Sequence, residues 1–136
     1  MDYSQLSPSR FAAAIAERLD AVVPPGLSVR ANGSTVNLYS GRAVRGGSVN
    51  AVLILEEDGR TLAELVETSA CAILNDIQTD LMELLTEQWP LGERRQAAEP
   101  DARVTADRLL MWFGDEDKPL IALPPLELKD LVGGAA

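Results

Sequence analysis

The sequence predicts an α+β domain: a mostly antiparallel sheet in the order α-β-β-β-α-β-β, with a terminal helix optional and the helices packed on one face. Three observations predict it. Two segments carry apolar residues at helical spacing, the other apolar runs alternate or are short and β-branched, and turn residues separate them. The 136 residues suit a single domain, 1–136, with an internal linker at 90–101 and a flexible tail at 132–136.

The first helix is announced by "SPSRFAAAIAERLDAVV". Ser7 is its N-cap and Pro8 its first residue. Phe11, Ile15, Leu19 and Val22 recur every three or four positions, and "PPG" ends the helix because neither proline continues it. "LSVRANGSTVNLYS" predicts a β-hairpin, with Asn32-Gly33 as a type I′ turn between alternating strands. "GRAVRGG", Gly41 to Gly47, is predicted as a flexible loop, and "SVNAVLIL" as a third strand, with a short helix as the alternative.

"EEDGRTLAELVE" then places acidic residues on both sides of a glycine. Its spacing does not fit a calcium loop, whereas Thr61 followed by Glu64 fits a capping box at a helix start. Glu56, Glu57 and Asp58 are read as a solvated turn. The second helix is predicted from Leu62 to Trp89, stopping at Pro90. Val66, Ala70, Ile73, Ile77, Leu81 and Leu84 form its stripe, widened by Leu74 and Leu85, while Asp76, Asp80, Glu83 and Glu87 face water. Such a helix is about 42 Å long, against roughly 20 Å for a six-residue strand. It must overhang its sheet, be covered by another chain, or break near Ser69–Ala72 or Asn75-Asp76. Beyond the linker, "ARVTADRLLMWF", the turn "GDEDK" and the strand "PLIAL" predict a second hairpin. "PPLELKDLV" adds a short helix or an edge segment.

Composition narrows the function classes. The chain has no histidine, which removes the commonest general base and zinc ligand. Cys71 is the sole cysteine, so no intrachain disulfide forms, and its run of small apolar neighbours predicts a buried structural thiol. The net charge of −9 makes nucleic acid and anionic membrane poor partners. No run of some 18 apolar residues exists to span a membrane, and "MDYSQLSPSR" lacks the features of a signal peptide, so a cytoplasmic location is expected.

The candidate sites follow from residue type. Asp115, Glu116 and Asp117 form a second acidic turn, read as the solvated tip of a hairpin. Arg42 and Arg45, between glycines, are candidates for holding an anionic group of a partner. Trp89 is read as a plug at the end of the long helix. In "LLMWF" the alternation fails, so both faces of that strand are buried or one is a partner surface; Leu110 and Trp112 are the residues concerned. No catalytic residue, metal ligand or cofactor is expected.

The capped "SPSRFAAAIAERL" helix, the "ANGST" hairpin and the long acidic helix before "RLLMWFG" resemble, in topology, the secretion-chaperone-like fold of type III secretion chaperones and their non-secretory relatives. The resemblance spans Ser7 to Leu123. It implies a small acidic non-enzymatic homodimer that binds protein segments. The expectation is therefore a non-catalytic protein-binding or adaptor module, possessing an unidentified protein partner and no cofactor. The alternative is a structural subunit of a larger or phage-derived assembly; an enzyme using carboxylates and a divalent metal ranks below both.

Overall fold

The computed structural model describes residues 6–40, 43–50, 62–92 and 96–131, with 43–50 and Leu62 described by their backbone. The fold is α+β, built from two α-helices and antiparallel strands. Among the described residues the strands form two sheets rather than one: a three-stranded meander between the two helices, and a second sheet after the long helix, with the strand Arg108–Gly114 at its centre.

Helix α1 (Pro8–Asp20) begins as its sequence predicts. Ser7 is extended, and its Oγ accepts the Arg10 N–H at 3.3 Å. Phe11, Ala12, Ile15, Ala16 and Leu19 turn one face into the core. Two polar residues near its end tie it to other elements. The Arg18 guanidinium donates to the Pro124 and Pro125 carbonyls at 2.9 and 3.1 Å. Asp20 Oδ1 accepts the Val29 N–H at 3.0 Å.

Strands β1 (Leu27–Asn32) and β2 (Thr35–Ser40) pair with Asn32 opposite Thr35, so the two turn residues are Gly33 and Ser34. Gly33 has φ +63°, while Asn32 and Ser34 stay at negative φ. A positive φ at the first turn residue alone is the type II′ pattern, which corrects the type I′ reading of Asn32-Gly33. Strand β3 (Ala43–Asn50) corrects the loop predicted at Gly41–Gly47. The register places Leu38 opposite Arg45 but Val36 opposite Val49, so β3 carries extra residues around Gly46-Gly47. The glycines mark a bulge, which tolerates them, rather than a loop. The predicted third strand at 48–55 shares its first three residues with β3; its remainder, Thr61 and the acidic turn at 56–58 lie outside the described residues.

Helix α2 (Leu62–Leu85) is continuous, without a break at Ser69–Ala72 or Asn75-Asp76. Its 24 residues give a length of about 36 Å. Val66, Ala70, Ile73, Leu74, Ile77 and Leu81 are essentially fully buried, as the stripe predicts. The helix stops at Leu85 rather than Trp89 because Thr86 adopts φ +54°, a left-handed reversal. That reversal lets Trp89 turn back edge-on to Phe113, with ring centroids 5.3 Å apart.

The stretch read as a linker opens with a small closed loop: Gly92 N–H donates to Gln96 O and Ala98 N–H to Pro90 O. Strand β4 (Pro100–Thr105) then pairs with β5 (Arg108–Gly114) across a two-residue turn, Ala106-Asp107. Both turn residues have positive φ, 50° and 58°. The single strand predicted through 102–113 is thus a hairpin of its own, hidden because Ala106 disfavours that conformation, although Asp107 tolerates it. Strands β6 (Pro119–Ala122) and β7 (Leu126–Glu127) share the other edge of β5, and a 3-10 turn (Leu128–Leu131) closes the fold. One apolar core draws on both helices, on β1 and β2, on alternate residues of β5, and on the C-terminal Leu126, Leu128 and Leu131.

Candidate functional site

Two surface regions stand out. The first is a cleft of about 870 Å³ between α2 and the outer edge of β4. On its helix side, Glu67, Cys71 and Gln78 stand four and seven residues apart, on one face beside the apolar stripe. Each reaches backbone of the opposite wall. Glu67 Oε2 accepts the Val104 N–H at 2.7 Å. The Cys71 thiol contacts Pro100 O at 3.6 Å. Buried Gln78 donates through Nε2 to Trp89 O at 3.1 Å and to Ala98 O at 2.6 Å. Gln88 Oε1 accepts the Ala97 N–H at 3.0 Å, fixing the loop at the end of the cleft.

The chemistry of this cleft is restrained. Cys71 is half-buried, not the fully buried thiol predicted. Burial and then the Asp101 carboxylate push its pKa above the ordinary thiol value, so it is held protonated, and the protonated thiol is a poor nucleophile and metal ligand. Among the described residues no group of three or more Cys, Asp or Glu side chains is placed to hold a metal ion. Asp115, Glu116 and Asp117 are exposed, and Glu116 pairs with Arg103 at 2.7 Å.

The second region is the face of the second sheet turned away from the core. Leu109, Met111 and Phe113 of β5 point into the core, so Arg108, Leu110 and Trp112 point the other way. Register sets Ala122 opposite Trp112, which brings Ala122 and Leu120 of β6 to this outer face. Trp112 is buried, 5% exposed, and Leu110 half-buried, both apart from the main apolar cluster, and Leu120 is 50% exposed. Two ion pairs border these side chains: Arg103 with Glu116, and Arg108 with Glu127, each at 2.7 Å. An apolar centre within a charged rim is the usual anatomy of a protein interface. A groove of about 510 Å³ is lined by Gly92, Ala98, Gly114 and Leu120, and Leu91 is 58% exposed.

Of the predicted partner-binding residues, Leu110 and Trp112 share this outer face. Arg45 lies in β3 opposite Leu38, in the other sheet, and Arg42 lies outside the described residues. Leu120 and Leu91 were not singled out by the sequence, although the alternation of "PLIAL" separates Leu120 from core-facing Ile121. Nor were Glu67 and Gln78, whose shared helix face was the available signal.

No protein-family model, curated protein or solved structure matches this chain. Among the described residues, no helix is long and apolar enough to cross a membrane.

Proposed function

We propose that this protein is a non-catalytic protein-binding module that works as a homodimer, its docking face being the outer side of the second sheet. The observation that carries the reading is half-exposed Leu120 and half-buried Leu110 on this outer face, over buried Trp112 and beside two ion pairs. Large apolar side chains gathered on an outer face are rarely left to water, and a two-fold contact is the commonest way to cover them. The protonated Cys71 thiol and the absence of histidine from the sequence favour binding over catalysis. Binding of protein segments is also what the resemblance to secretion chaperones implies.

Hydrogen exchange at two concentrations tests the reading. The Leu120 and Ala122 amides should exchange more slowly at high concentration, when a second copy covers them, than on dilution. Equal exchange at both concentrations counts against the outer face as a self-docking surface.

A further inference from the structure

The outer edge of β4 is satisfied by side chains rather than by another strand. Glu99 O accepts the Gly114 N–H at 2.8 Å, so Asp101, Arg103 and Thr105 turn their backbone toward β5, while Pro100, Ala102 and Val104 turn theirs outward. Each of these three outward positions has a side-chain partner. Val104 N–H donates to Glu67, Ala102 N–H donates at 2.8 Å to the side chain of Asp101, and Pro100 O faces the Cys71 thiol. Carboxylates thus stand where a neighbouring strand would offer carbonyls, and a thiol stands where it would offer an N–H. The first sheet repeats the device, with Asp20 of α1 on the Val29 N–H of edge strand β1.

We propose that these side chains keep the β4 edge closed against pairing with a second copy of this chain. Exposed edges are templates for such pairing, and blocking them is a recurrent need of β proteins. The sequence of β4 shows why the copy itself is the partner to be excluded. In an antiparallel β4–β4 pair centred on Ala102, Asp101 lies opposite Arg103 of the second copy, and Arg103 opposite its Asp101. Opposite charges directly across strands favour that register. The two Ala102 residues would exchange backbone bonds, and each Val104 N–H would reach the Pro100 carbonyl of the other copy. These are the groups that Glu67, Asp101 and Cys71 now occupy. The cleft of about 870 Å³ opens along this edge.

The test is the mass of a Glu67→Ala/Cys71→Ala variant by light scattering, across a concentration series, beside the wild-type protein and Glu67→Gln. The double variant should associate to at least twice the wild-type mass, whereas Glu67→Gln, which keeps an acceptor for Val104, should match wild type. Adding Val104→Pro, which removes the N–H needed for pairing, should restore the wild-type mass. Adding Arg103→Asp should weaken association by replacing the attraction to Asp101 with repulsion. A double variant that keeps the wild-type mass overturns the proposal. So does association that persists with Val104→Pro, since that would be aggregation of unfolded chains rather than edge pairing.

Discussion

Gln78→Glu changes almost nothing in shape and removes both hydrogens by which α2 holds the loop at 86–99. Gln78 is 5% exposed, and its Nε2 bonds the Trp89 and Ala98 carbonyls at 3.1 and 2.6 Å. Replacing that donor with a carboxylate oxygen sets three acceptors against one another. Two lost bonds amount to about 1–3 kcal/mol, and the uncompensated buried charge adds to this, so a loss of about 3 kcal/mol is expected at neutral pH. The sign with pH follows from the same geometry. The introduced carboxyl can donate to a carbonyl only when protonated, so its pKa in the folded protein lies above its unfolded value of about 4.3. The penalty is therefore smallest at low pH, grows as pH rises through the interval between the two values, and is complete above the folded one. Urea unfolding of variant and wild type at about pH 4 and pH 7 should show the difference in stability widening by about 1–2 kcal/mol between them. A difference that does not change with pH, or one below about 0.5 kcal/mol at neutral pH, refutes the role assigned to Gln78.

Three further outcomes follow from backbone and thiol. Ala106→Gly should stabilise by about 0.5–1 kcal/mol in thermal melts, because relief of the left-handed strain outweighs the added freedom of the unfolded chain. Gly33→Val should cost more than about 1 kcal/mol, since a β-branched side chain is strained at φ +63°, and urea titration checks it. The rate of Cys71 alkylation should rise with pH about a midpoint above that of a free cysteine. Asp101→Asn should lower that midpoint, because it removes the negative charge that opposes the thiolate but leaves the burial, which is the larger cause.

The helices were the most legible part of the sequence. The start of α1 is written in Ser7-Pro8 and its end in Pro24-Pro25, and the buried stripe of α2 follows its apolar spacing, because both signals are local. The strands were harder to place. Gly46-Gly47 reads as a loop when taken alone and becomes part of a strand only because β2 lies beside it with a bulged register. In Ala106-Asp107 the turn signal is Asp107 alone; the pairing of β4 with β5 holds both residues in a left-handed conformation that Ala106 does not favour. At the site, the unbroken apolar run of "LLMWF" signalled apolar side chains on both faces of β5 but not which of them enter the core, as Leu109, Met111 and Phe113 do. The side chains that bond β4 and the backbone before it were not legible, since Glu67 and Gln78 look like solvated helix residues until the segments they bond are beside them.

Sedimentation equilibrium at micromolar concentration tests the docking face most directly. Twice the chain mass of 14.6 kDa is expected for the wild-type protein, and the single-chain mass for Leu120→Asp, which charges the exposed apolar surface while leaving the core untouched. A wild-type protein that sediments as a single chain contradicts it. A dimer that survives Leu120→Asp and Leu110→Asp unchanged contradicts the placement of the interface on the outer face of β5 and β6.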